Sequence, residues 1–153
     1  MTKAIAGLSA DAGVIPPESL AAGVLKAQLS TLCLREVDQL RQAAIALIDA
    51  AAAIGCSHLV AANAAAEPLT TAAALLSNGK LAYSDSRNSF AEKVLVVDAA
   101  TVTGNITRSC AAYLRENGAS WVGAVIFDRV RPDLDGLDDD PGIDHVVSLN
   151  LNS

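Results

Sequence analysis

One stretch, Lys93 to Arg129, leaves this chain few folds to choose from. Val94 to Val97 is a continuous apolar run, rich in β-branched residues and closed by Asp98. A strand buried on both faces of a parallel sheet has that composition. A small, hydroxyl-rich turn around Gly104 follows. In the next segment Cys110, Ala111, Tyr113 and Leu114 fall on neighbouring helical turns, and Asn117-Gly118 stops the helix. Val122 to Phe127 then repeats the buried-strand pattern. Strand, helix and strand make one βαβ unit, which needs helices on the sheet's faces. The expected fold is therefore α/β: a three-layer, Rossmann-like domain with a mainly parallel central sheet.

The turn inside this unit is suited to an anion. The first N–H groups of a helix have no internal acceptor, and the helix dipole favours negative charge there. Gly104 allows close backbone approach, and Thr101, Thr103 and Thr107 bring hydroxyl donors. In open α/β sheets ligands bind outside the carboxyl ends of the strands, where Asp98 stands. The residues alone read either as a phosphate site beside a carboxylate or as a structural turn with threonine caps.

Val94-Leu-Val-Val-Asp-Ala-Ala-Thr-Val-Thr-Gly-Asn-Ile-Thr107 resembles the phosphoribosyl-pyrophosphate (PRPP) motif of the type I phosphoribosyltransferases. The resemblance implies that Val102, Thr103, Gly104, Asn105 and Ile106 wrap a 5′-phosphate with their amides, flanked by Thr101 and Thr107. It further implies that acidic residues, here Asp98, hold ribose hydroxyls with help from Mg²⁺ carried by PRPP. Ala99 stands where the family places a second acid, and Val102 where purine-using members place one near the base. The family's base-side strand end corresponds to Asp128 and Arg129. An aspartate there does not suit a 6-oxopurine, for which relatives offer a lysine.

Upstream, Val37, Leu40, Ala44, Leu47, Ile48 and Ala51 recur at helical spacing, so Leu34 to Ile54 is expected to be a helix closed by Gly55. Cys56 to Ala62 reads as the next strand. Asn63, Ala64, Ala65 and Ala66 then occupy the position of the family's pyrophosphate loop, ahead of a helix from Glu67 to Leu76 with Pro68 in its first turn. Leu81 to Tyr83 reads as a short strand. The polar Ser84 to Ser89 segment is either a shortened catalytic lid, with Arg87 as its cation, or an ordinary surface loop. Asp133 to Asp144 is an acidic loop without EF-hand spacing, expected to be solvated, and His145 to Leu149 a final strand. Residues 1–33 read as an arm followed by a helix through Leu25 and Leu29, a hood or dimer contact. The core domain spans 34–153.

Composition supplies the exclusions. The 153 residues suffice for one domain core, and with aromatics at 3% that core must be built from Ala, Val and Leu. A net charge of −6 argues against nucleic acid as partner. No apolar run has bilayer length and no signal-peptide layout opens the chain, so no membrane partner is expected and a cytoplasmic location is. Cys33, Cys56 and Cys110 share no metal-binding spacing and read as small hydrophobes; neither His58 nor His145 belongs to a nucleophile motif. No catalytic residue and no direct metal ligand is assigned. The expected function is binding of PRPP or a nucleotide 5′-phosphate by a homodimer of nucleotide metabolism. If active, it transfers ribose 5-phosphate to a nitrogenous base. The alternative is a non-catalytic ligand-sensing or interaction module.

Overall fold

The computed structural model describes residues 19–89 and 91–149; the expected N-terminal arm lies outside them. Helix α1 (Leu20–Cys33) starts at Ser19, whose hydroxyl accepts the amide of Ala22. Helix α2 (Val37–Ile54) follows a tight turn and starts three residues after the expected Leu34, at the first residue of its apolar pattern. Strand β1 (His58–Ala61), a 3₁₀ turn at Ala64–Ala66, helix α3 (Glu67–Leu76) and strand β2 (Ala82–Ser84) come next. The βαβ unit is present as strand β3 (Lys93–Thr101), helix α4 (Asn105–Glu116) and strand β4 (Trp121–Arg129). An irregular segment leads to strand β5 (His145–Ser148).

The five strands form one sheet in the order β2-β1-β3-β4-β5, and all four pairings are parallel. Alternate residues of β3 and β4 serve opposite faces, as a period of two requires. Leu95, Val97, Val125 and Phe127 pack under α2 and α3 with Leu47 and Leu69. Val94, Val96, Ala124 and Ile126 pack under α4 with Leu114, joined by Leu137 and Ile143 of the irregular segment. The domain is thus a three-layer α/β fold. Small helix residues set the spacing between layers: Ala43, Ala44 and Ala51 are fully buried on α2.

The strand order reverses once. From β1 the chain moves outward to β2, returns to β3 on the other side of β1, and continues through β4 to β5. The reversal sends the loop after β1 to α3 on one face and the loop after β3 to α4 on the opposite face. A crevice between two diverging loops is where ligands enter open α/β sheets. The two loops expected to bind phosphates, 63–66 and 102–107, leave the sheet on either side of it.

Candidate functional site

The loop after β3 is held in one shape by its own side chains. The hydroxyl of Thr101 accepts the Gly104 amide at 2.9 Å, and Thr103 Oγ1 lies 3.5 Å from the Asn105 amide. Gly104 has φ +75°, and a Cβ there would lie 2.3 Å from the carbonyl oxygen of Asp135. Only glycine fits that position without moving the loop. The amides of Val102, Thr103, Ile106 and Thr107 find no backbone acceptor among the described residues. They lie in the loop and first turn of α4, whose dipole adds positive character.

Asp98 sits inside this arrangement rather than on its rim. It is 2% exposed, faces the α4 layer, and accepts the Thr107 hydroxyl at 2.8 Å. Burial pushes its carboxyl up from the ordinary value; hydrogen bonds from Thr107 and from the amides of Ala100 and Ala99 oppose that rise. The carboxylate therefore braces the loop from beneath. Its field and burial together push the neighbouring Cys110 thiol up to about 11, burial being the larger cause. Ala99 points the other way, into the apolar core under α2 and α3.

Arg108 is the cation that sequence reasoning overlooked. Its Nη2 donates to the Thr103 carbonyl at 3.1 Å and to Asn105 Oδ1 at 2.6 Å. No described carboxylate forms an ion pair with it, and its buried Nε has no hydrogen-bond partner. The available signal was its place one turn beyond Gly104, on the helix that the loop opens.

The loop after β1 begins beside β3, where the Ala62 amide donates to the Val97 carbonyl at 2.8 Å. Asn63 is extended, Ala64–Ala66 form the 3₁₀ turn, and Pro68 occupies the first turn of α3. A cleft of about 350 Å³ opens against this loop and the end of β2. Asn63, Glu67, Ser84, Asp85 and Ser86 line it, and among the described residues no Lys or Arg does. The side-chain oxygen of Asn63 is buried there without a partner. Two carboxylates repel a bare pyrophosphate. They suit a hydrated Mg²⁺ that is already bound to phosphate oxygens, since Mg²⁺ keeps several waters and takes one or two protein carboxylates. Among the described residues no three metal-binding side chains converge. The polar segment that reads as either a shortened lid or a surface loop holds a short 3₁₀ turn, Ser86–Asn88, and Arg87 is exposed outside the cleft lining.

At the far end of the loop, α1 lies across the carboxyl ends of β3 and β4. Gly23 packs against Val102 and Val130, where a Cβ would come within 3.2 Å of Val102 Cγ1. The Ser30 hydroxyl donates to Asp128, which is 2% exposed. Arg129 is engaged elsewhere. Its Nε and Nη2 grip Asp135 at 2.7 and 2.8 Å, and Nη2 also reaches Asp138 at 2.9 Å. These carboxylates hold its guanidinium above its ordinary value despite partial burial. The acidic segment is not simply solvated: Asp135 is fully buried, and Leu137 is a core residue.

Compared with models of known protein families and with curated protein sequences, the chain matches none.

Proposed function

We propose that this domain binds a phosphorylated small molecule, PRPP or a nucleotide, at the switch point between β1 and β3. The reading is carried by one observation. Two loops leave adjacent strands and diverge to opposite faces, and the one after β3 keeps open helix-start amides and is fixed by Gly104 in a shape no other residue fits. The 5′-phosphate would take the amides of Val102, Thr103 and Ile106, with Arg108 supplying charge beside them. The cleft at Asn63 would take the rest of the ligand, with Glu67 and Asp85 meeting Mg²⁺ that arrives with a diphosphate. Mg²⁺ would there screen the phosphate charge and assist departure of pyrophosphate.

If the domain is a phosphoribosyltransferase, its residues act mainly by positioning. The anion loop anchors one end of the ribose phosphate. Helix α1, held by Ser30 to Asp128, covers the base side and excludes water. A second reading, binding or sensing without turnover, is favoured by Asp98 and Ala99. The one carboxylate of the motif faces inward, and the position of the second is in the core. Neither offers an exposed acid to ribose hydroxyls.

Calorimetric titration with PRPP, with and without Mg²⁺, tests the reading. Binding lost in Gly104→Val supports it, and absence of binding at millimolar PRPP rejects it. If PRPP binds, no turnover across a panel of purine and pyrimidine bases selects the non-catalytic alternative.

A further inference from the structure

The acidic segment after β4 touches the anion loop at Gly104, and the contact belongs to a closed circuit. Thr101 Oγ1 accepts the Gly104 amide at 2.9 Å. Gly104 in turn lies against the Asp135 carbonyl, so closely that a Cβ would be 2.3 Å from it. The Asp135 carboxylate is held by two nitrogens of Arg129, and it also accepts the Leu137 amide at 3.1 Å. Arg129 is the parallel-ladder partner of Thr101, where the circuit closes. Every link is buried or nearly so: Asp135 is 0% exposed and the Arg129 side chain 11%.

We infer that Arg129 and Asp135 are positioning residues for the anion loop: the pair presses the Asp135 carbonyl against Gly104 and so sets where the loop's amides point. The inference rests on the reading of residues 102–107 as a phosphate site. Neither side chain needs to touch the ligand. A two-nitrogen, planar grip fixes the orientation of a carboxylate, which a single ammonium does not. With that orientation fixed, the Asp135 backbone has one position, and Gly104 has one conformation that clears it. The segment that reads in the sequence as an acidic loop is by this inference the back wall of the site. The Asp135 carboxylate, whose backbone touches the loop, is paired with Arg129 and so opposes an incoming anion less than a bare carboxylate would.

The test uses four variants of the full chain: Arg129→Gln, Arg129→Lys, Asp135→Asn and Asp138→Asn. Asp138 is the exposed partner of the same arginine, at 66% side-chain exposure, and serves as control. Three quantities are read: inorganic phosphate affinity by calorimetry, hydrogen exchange of the Gly104 amide by NMR, and melting temperature. Arg129→Gln and Asp135→Asn are expected to weaken phosphate binding at least about tenfold and to speed Gly104 exchange by a similar factor (a factor of ten being about 1.4 kcal/mol). Exchange at Val96 and Val125 should not change. Arg129→Lys keeps the charge and loses the fork, so it should behave as the glutamine variant does, while Asp138→Asn stays within about twofold of wild type.

Wild-type affinity in Arg129→Lys means that charge alone matters, and it overturns the inference. So does a lowered melting temperature with phosphate affinity of the folded variant unchanged, because the pair is then merely structural. Unaltered Gly104 exchange in Arg129→Gln overturns it as well. If the glutamine variant does not fold, the comparison of Arg129→Lys with Asp138→Asn decides alone. Wild-type protein that takes up no phosphate, with Gly104 exchange still responding to the variants, rejects the phosphate reading and leaves the hold of the pair on the loop standing.

Discussion

Asp98 is a carboxyl group buried beneath a helix start, and its burial makes a pH signature. Its value in the fold is raised, mainly by desolvation, above the ordinary 3.8. The folded protein therefore binds its proton more tightly than the unfolded chain does. The associated stabilisation is complete below the unfolded value and is lost as pH rises through the raised one. Asp98→Asn removes this titration, so the stability of wild type relative to the variant should grow as pH falls from neutral to about pH 4. Urea unfolding at several pH values measures it, and a flat difference contradicts the burial. Ala99 makes the opposite case. The resemblance to phosphoribosyltransferases invites restoring the acid, but the side chain lies in the core under α2 and α3. Ala99→Asp should cost about 3–5 kcal/mol, the usual effect of an uncompensated buried charge, and lower the urea midpoint without creating Mg²⁺-dependent affinity. At Gly104 the left-handed backbone and the Asp135 carbonyl act together. Gly104→Ala should lose about 1–3 kcal/mol from backbone strain alone, and phosphate binding with it.

Among the elements, β3, α4, β4 and α3 were legible because each is written in consecutive residues. Val94 to Val97 has no polar interruption, and Pro68 marks the first turn of the Glu67–Leu76 helix. The turn around Gly104 was legible for the same reason, since Thr101, Gly104 and Thr107 are near neighbours. What the sequence hid depends on distant contacts. Ser30 meets Asp128 across 98 positions, and no local pattern announces that α1 will cross the sheet's carboxyl edge. Arg129 was read beside the base because strand ends in that family face the ligand; its actual partners sit in a loop whose aspartates looked like solvated charge. Helix α1 still exposes Leu20, Val24, Leu25, Leu29 and Leu32, the residues on which a homodimer would depend. Leu29→Glu should then shift sedimentation from dimer to monomer, and an unchanged sedimentation coefficient discards the dimer. Substituting Gly23 tests the docking of α1 itself. A leucine there cannot fit against Val102 and Val130, so Gly23→Leu should raise proteolytic cleavage at Lys26 while leaving exchange at Val96 and Val125 slow.

For the whole molecule, charge and topology pull in different directions. A net charge of −6 repels phosphates at long range, so any affinity must be local, from the amides at the start of α4 and from Arg108. Local attraction acts only on the folded state, which makes ligand binding visible as stability. A ligand at a hundred times its dissociation constant adds about 2.7 kcal/mol, and at roughly 2–4 °C per kcal/mol for a domain of this size the melting temperature should rise by about 5–11 °C. Comparing ligands then separates the two halves of the crevice. On the proposed reading inorganic phosphate would engage only the loop after β3, so its effect should not depend on Mg²⁺. PRPP would on that reading also reach the cleft of Glu67 and Asp85, where two carboxylates oppose a bare diphosphate, so its extra stabilisation should appear only with Mg²⁺. It should shrink in Glu67→Gln, which removes a carboxylate from the cation without supplying a charge to replace it. Equal, Mg²⁺-independent shifts for both ligands would mean that the cleft is not part of the site. The crevice would then hold a phosphomonoester alone, as a sensing module does and a pyrophosphate-releasing transferase does not.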